Sequence, residues 1–342
     1  MLRLLALLAV VAVGCTTSGG SVTATNPEPE ERRSASPNVP KPGHPVQMPA
    51  KLIADRFYVE PTTVDGNSLR LFTDTGGGLM LTKAAATRLG LETSTIEADE
   101  GPTEAAFLPN FEWDSWIPKV EVFDGRLPIV EESPLTKTID PEMDGMLGQA
   151  WFKDRVWTFD YENGELWLRA SGDLPKHDPS QRAFLGFPKN AEGKRATNYP
   201  RIEVQIDGAK VDLLFDTGAT VKLSPAAVAA MGDGGPPVRA TSFIAATTFD
   251  QWKQKHPDWR IIENADVNAD GAPMIQVPAV TVAGQAVGPV WFTRRSDKDF
   301  HEWMSQWTDK RIDGALGGNA LRFFRISIDY PRAMAVFERI AK

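Results

Sequence analysis

Asp-Thr-Gly occurs twice in this 342-residue chain, as Asp74-Thr75-Gly76 and Asp216-Thr217-Gly218. Each triplet is followed much later by an apolar-apolar-Gly segment, Met146-Leu147-Gly148 and Ala315-Leu316-Gly317. Two carboxylates that share one site cannot both ionise, so one is left as a base and the other as an acid. That is the chemistry required to hydrolyse a peptide bond with a single activated water. The tripeptide alone is a weak signal; its surroundings carry the argument.

Apolar residues lead into each triplet, Leu71-Phe72-Thr73 and Leu213-Leu214-Phe215, as the ends of buried strands would. The glycine then permits a turn that a Cβ would obstruct. A helix is expected after each turn, from Leu81 and from Leu223, the second with Ser224 as N-cap and Pro225 at its first position. The spacing marks an internal duplication. Asp74 and Asp216 lie 142 positions apart, and Leu81/Leu223, Ala85/Ala227 and Gly90/Gly232 keep that offset. Asp144-Gly145 and Asp313-Gly314 lie 169 apart, as do Asp160-Tyr161 and Asp329-Tyr330. The second half therefore carries 27 extra residues (169 less 142), which this alignment places at about 233–312.

The pattern resembles the aspartic peptidases, over residues 52–170 and 199–340. With no tyrosine between Gly90 and Asp144 to serve as a flap tyrosine, the halves are more similar to retroviral-type proteases joined in tandem than to pepsin. The resemblance implies a mostly β, bilobal acid-protease fold: two homologous retropepsin-like β-barrel lobes, residues 51–170 and 199–342, around an interlobe cleft, with 171–198 as linker. It implies Asp74 and Asp216 as the catalytic pair, with Thr75 and Thr217 locking the two loops together. Gly76 and Gly218 would let backbone N–H groups approach the carboxylates, and Gly148 and Gly317 belong to the segments that support the loops. Such an enzyme is a monomer, needs no metal or cofactor, forms no acyl-enzyme, and takes a peptide or protein as substrate. The alternative is an inactive relative that binds peptides or envelope components in the same cleft.

Two departures from the family pattern stand out. Gly77 and Ala219 follow the triplets where acid-adapted members place Ser or Thr, so a hydroxyl that would lower the dyad's pKa is missing and a mildly acidic optimum is expected. Thr73 precedes Asp74 where a bulky apolar residue is usual, and with the run Gly76-Gly77-Gly78 it predicts a looser first loop. A flap is expected within residues 96–116, with Phe107, Phe111, Trp113 and Trp116 either lining a groove or filling core. Phe300, Trp303, Met304 and Trp307 have the spacing of one helix face, capped by Ser296.

Strands are expected at 120–123, 127–130, 155–161, 165–169, 201–206, 210–215, 279–282 and 287–292. Short turns at Asp124-Gly125, Asn163-Gly164 and Asp207-Gly208 would join several of them as hairpins. At the N-terminus a basic start, a ten-residue apolar run (residues 4–13) and Gly14-Cys15 read as an export signal. Residues 12–15 resemble a bacterial lipoprotein cleavage box, which would make Cys15, the only cysteine, the lipid attachment site. Residues 1–14 would then be removed, residues 15–50 would form a tether rich in Ser, Thr, Pro and Glu, and the enzyme would sit in the cell envelope. A net charge of −8 with no basic cluster argues against nucleic acid as a partner. No zinc, serine-hydrolase, phosphate-loop or dinucleotide motif occurs.

Overall fold

The computed structural model describes residues 40–98 and 101–341. The export signal and Cys15 lie outside the described residues. Strands dominate, with a handful of helices of four to ten residues between them.

Eight strands of the N-terminal half form one sheet in the order Ala50–Ile53, Arg56–Val59, Leu71–Thr73, Gly145–Leu147, Met80–Thr82, Arg126–Val130, Gly101–Phe107, Thr93–Ala98. A run within the larger, fifteen-stranded sheet has the same plan: Arg182–Gly186, Arg201–Ile206, Ala209–Phe215, Gly314–Leu316, Ser242–Ala245, Val290–Arg295, Ala272–Val277, Ile261–Asp266. The sense of pairing repeats as well. Leu71–Thr73 is parallel to Gly145–Leu147, and Ala209–Phe215 is parallel to Gly314–Leu316. Both halves therefore deliver the strand before an Asp-Thr-Gly turn to the side of an apolar-apolar-Gly strand. Neither sheet closes on itself, so the expected β-barrels are corrected to open sheets.

Val280–Val282 and Gln285–Val287 extend this sheet from Arg201–Ile206, and the other strands join the halves. Val156–Asp160 and Phe324–Asp329 pair antiparallel, and Thr158 faces Ser327, its own counterpart at the 169-residue offset, with the hydroxyls 2.7 Å apart. Glu165–Arg169 and Met334–Arg339 flank this pair, and Val46–Gln47 and Arg182–Gly186 flank those in turn. Large aromatics fill the space beneath: Phe57, Trp151, Phe152, Trp157, Phe159, Tyr330 and Phe337 are all fully buried.

Pairing across the sheet revises the repeat. In the first half Leu81 lies opposite Gly145; in the second the residue opposite Gly314 is Ile244, not Leu223. From Asp74 to Leu81 is 7 positions and from Asp216 to Ile244 is 28, so 21 of the 27 extra residues fall directly after the second turn. They fall within an excursion at 219–240: strand Thr220–Lys222, helix Pro225–Met231 capped by Ser224, and strand Val238–Ala240, which pairs back on the first. The sequence aligned this helix with Lys83–Arg88 because both begin with a hydroxyl cap and an Ala-rich turn. The helix that occupies the equivalent place is Ala246–Lys255.

Other expectations shift locally. Val120 is buried but belongs to no strand, and Asp124-Gly125 lies in a 3₁₀ turn, so the expected 120–123 hairpin is absent. The stretch expected as one strand at 287–292 is broken at Gly288-Pro289 into Gln285–Val287 and Val290–Arg295. Residues assigned to the tether, Val46–Gln47, pair with Glu165–Arg169, and Met48 is buried. Residues assigned to the linker form strand Arg182–Gly186. The aromatic stripe is helical but irregular, a π turn at Lys298–Trp303 followed by a 3₁₀ turn at Met304–Trp307. Ser305 Oγ donates to Phe300 O at 2.6 Å and accepts from Ile312 N, inserting a side chain into the helical ladder. Phe300 and Met304 still pack inward against Tyr199, Leu214 and Ile312, while Trp303 is partly exposed.

Candidate active site

Each aspartate sits on a turn held from behind by its supporting strand. Asp74 N donates to Leu147 O at 3.0 Å, and Asp216 N donates to Leu316 O at 3.1 Å. Each carboxylate then folds back on its own turn: Gly76 N donates to Asp74 Oδ1 at 2.8 Å and Gly218 N to Asp216 Oδ1 at 3.0 Å. The threonines between them cross over. Thr75 N donates to Thr217 Oγ1 at 3.1 Å, Thr217 N donates to Thr75 Oγ1 at 3.0 Å, and Thr75 Oγ1 donates to Phe215 O at 2.7 Å. Both threonines are fully buried, so these bonds satisfy backbone donors that no water reaches. The expected interlocking of Thr75 and Thr217 is thus present in the geometry.

The glycines hold their places by lack of space. A Cβ on Gly76 would lie 2.6 Å from Asp216 Cγ, and one on Gly218 would overlap the Asp74 carboxyl. Each turn therefore presses its glycine against the other turn's acid, which places Asp74 and Asp216 face to face. Gly148 and Gly317 pass equally close to backbone: a Cβ on Gly148 would overlap the carbonyls of Gly77 and Gly78, and one on Gly317 the carbonyl of Thr241.

This packing revises the expectation of a loose first loop. A Cβ at Gly77 would lie 2.5 Å from Asp74 Oδ2 and 2.9 Å from Met146 Sδ, so the glycine run is a close fit. Gly77 O also accepts from Gln149 N at 2.9 Å. Thr73 is fully buried and its hydroxyl donates to Phe57 O at 2.8 Å, which accounts for a polar residue in that place.

Electrostatics separates the two acids. Asp74 is 2 % exposed, whereas Asp216 keeps a partly exposed face. Burial pushes Asp74 up to about 6, opposed by hydrogen bonds from Asp216 and from the backbone of Gly76, Gly77 and Gly218. Burial also pushes Asp216 well above the carboxylate range, and the Asp74 charge and hydrogen bond add to that shift. Both shifts have the same direction, so the two acids hold a proton more tightly than a free carboxyl and titrate as one coupled pair.

Several contributing groups were not singled out in the sequence. The carbonyls of Leu147 and Leu316 fix the acid turns, Ser242 Oγ accepts from Gly317 N at 3.0 Å, and Thr220 Oγ1 donates to Gly218 O at 2.7 Å. The leucines lie within the apolar-apolar-Gly triplets; the hydroxyls have no periodic or motif signal and become visible only once the strands pair. Of the aromatics in the expected flap region, Phe111 and Trp116 pack against core, while Phe107 and Trp113 are exposed. A cavity of about 970 Å³ lies away from the dyad, along Lys51, Glu60, Arg70 and Glu142. Lys51–Glu60, Arg70–Glu142 and Arg88–Asp144 ion pairs engage most of the charges on its wall. No protein-family model and no characterised protein matches the chain in sequence.

Proposed function

We propose that the chain is an aspartic endopeptidase of the retroviral and pepsin-like kind, with one catalytic aspartate from each of two duplicated halves. The observation that carries the reading is the crossed packing of the two turns, in which each glycine abuts the opposite carboxyl and the two threonines exchange backbone-to-hydroxyl bonds. Two acids held this close, one of them buried, are costly unless they share a proton, and that cost makes a structural role a poor explanation of the pair.

In the proposed reaction, a water held between the carboxylates gives a proton to Asp74 as its oxygen attacks the scissile carbonyl. Asp216 donates its proton to the carbonyl oxygen and stabilises the negative charge that develops there. The proton gained by Asp74 then passes to the leaving amine as the C–N bond breaks, and Asp216 is reprotonated from the collapsing diol. Substrate is an extended peptide, the working unit is one chain, and a lipid on Cys15 would hold it at the cell envelope.

The test is cleavage of an unfolded protein by the full-length chain across a pH series, beside Asp74→Asn and Asp216→Asn. Cleavage abolished in both variants supports the proposal. Absence of cleavage by a folded wild-type chain that still binds peptides would replace it with the peptide-binding alternative.

A further inference from the structure

Behind the crossed threonines a second path joins the two acid turns, and it runs through Gln149. This residue follows the support glycine Gly148 and opens the short helix Gln149–Phe152, where it is 4 % exposed. Its backbone faces the first turn: Gln149 N donates to Gly77 O at 2.9 Å, and Gly77 N donates to Asp74 O at 3.2 Å. Its side chain reaches the other way. Gln149 Oε1 accepts from Asn198 N at 2.9 Å, a buried bond between residues 49 positions apart.

Asn198 lies where the chain enters the second half. Thr197 Oγ1 before it donates to Trp307 O at 2.7 Å, and Pro200 O, two residues after it, accepts from Phe215 N at 2.7 Å. Phe215 precedes Asp216, and its own carbonyl accepts from Thr75 Oγ1. A continuous series therefore runs from Asp74 through Gly77, Gln149, Asn198, Pro200 and Phe215 to Asp216. The Gln149 amide is its side-chain link, and the other links are backbone.

The reciprocal place is built differently. Gly318 lies 169 positions after Gln149, the offset of the support segments, and has no side chain to offer. A Cβ there would lie 2.1 Å from Asp55 O, so the turn at Ala54–Asp55 rests directly on its backbone. The carbonyl of Ala219, the counterpart of Gly77, is taken by Thr241 N at 2.9 Å. At this layer the Asp74 turn is tied to the opposite half through a side chain, and the Asp216 turn through close backbone packing.

We infer that Gln149 is a positioning residue for Asp74, its amide coupling the chain that enters the second half to the glycine turn that encloses the first acid. Gly77 is where that enclosure is tight, because a Cβ on it would lie 2.5 Å from Asp74 Oδ2. Releasing Gln149 leaves a buried backbone N–H on Asn198 without its acceptor. The strand crossing behind Gly77 then loosens, and water gains access to Asp74. Burial is the largest cause of that acid's raised proton affinity, so opening the turn lowers it. That the acids cut a peptide rests on the reading above; the placement of Gln149 does not.

The test is a carbon-13 NMR titration of the two carboxyls in the full-length chain, assigned with Asp74→Asn and Asp216→Asn. Gln149→Met keeps the length of the side chain but removes its oxygen, and the proton affinity read from the first ionisation of the pair should fall about threefold or more. Gln149→Glu keeps an acceptor for Asn198 N and should hold the wild-type affinity or raise it, because added negative charge opposes ionisation. Should Gln149→Met fail to fold, Gln149→Asn, whose amide is one methylene shorter, should give the same fall on a smaller scale. A purely structural side chain would change stability and leave the titration in place. A first ionisation unmoved in the folded variant, or moved alike by Gln149→Met and Gln149→Glu, would therefore overturn the assignment. A chain whose titration moves as expected but that cleaves nothing supports the role of Gln149 and overturns the proposed function. A chain that cleaves while the titration stays fixed does the reverse.

Discussion

Removing both carboxyls, as Asp74→Asn/Asp216→Asn, should make the protein more stable at pH 7 and change little at pH 4. The sign follows from the direction of the shifts. A carboxyl whose folded pKa is raised binds its proton more tightly in the native state, so its cost is absent below the unfolded value and grows as pH rises towards the folded one. For Asp74 that window runs from 3.8 to about 6. At ~1.4 kcal/mol per tenfold in proton affinity, the cost at pH 7 is about 3 kcal/mol from Asp74 alone. Asp216, also raised, adds in the same direction. Screening does not reduce this much, because Asp74 is 2 % exposed.

The assay is urea unfolding of wild type and double variant at pH 4, 5, 6 and 7, with the midpoint and slope fitted at each. Wild type should lose about 3 kcal/mol or more relative to the variant between the first and last pH, or ~5 °C if read as a melting temperature. Stability curves that stay parallel across the series would mean that the two acids are solvated separately, and the packing argument for the dyad would fail with them.

Three further outcomes follow from the same geometry. Cleavage should rise as pH passes about 6, where Asp74 ionises, and fall at higher pH as Asp216 loses its proton, which moves the optimum above the mildly acidic range expected from the sequence; Ala219→Ser, adding a hydroxyl donor that favours ionised Asp216, should move the falling limb towards acid in a pH–rate profile. Gly218→Ala places a methyl group on the Asp74 carboxyl, so activity should be lost and stability should drop by about 1–3 kcal/mol in denaturant titration. Thr75→Val removes the acceptor for Thr217 N and the donor to Phe215 O, two buried backbone groups, at about 1–3 kcal/mol each, whereas Thr75→Ser should restore most of the loss in the same titration.

What the sequence revealed was whatever short-range chemistry determines. The acid turns, their glycines and the paired threonines were legible because each needs a particular residue at a particular spacing. Most strands around them were legible too, and the Asp207-Gly208 turn joins its hairpin with both residues at positive φ. What failed was alignment of the second half. A Ser or Thr cap followed by alanines starts a helix wherever it occurs, so Lys83–Arg88 and Pro225–Met231 looked equivalent. Which strand sits beside Gly314–Leu316 is decided by long-range pairing, and that chose Ser242–Ala245. Val120 failed for a related reason: apolar residues at 120 and 122 suit a strand, but burial of Val120 comes from packing without a partner strand.

Duplication within one chain has a chemical consequence that a symmetric pair of subunits cannot share. Two identical subunits must present identical acids, and nothing but fluctuation decides which carries the proton. Here the turns differ residue by residue: Thr73 against Phe215, Gly77 against Ala219, Gly78 against Thr220. Asp74 is the more enclosed acid, and each carboxyl accepts from the glycine of its own turn, Gly76 N for Asp74 and Gly218 N for Asp216. The Asp74 charge beside it raises the affinity of Asp216 for a proton. On the proposed mechanism, such differences would let one acid serve as base and the other as acid before substrate arrives. Restoring symmetry by Gly77→Ala would force a methyl group against Asp74 Oδ2 and Met146 Sδ. The matching substitution Ala219→Gly meets no such obstacle, so the first should abolish cleavage and the second should leave it largely intact. Equal effects from the two would show that the acid turns are interchangeable after all.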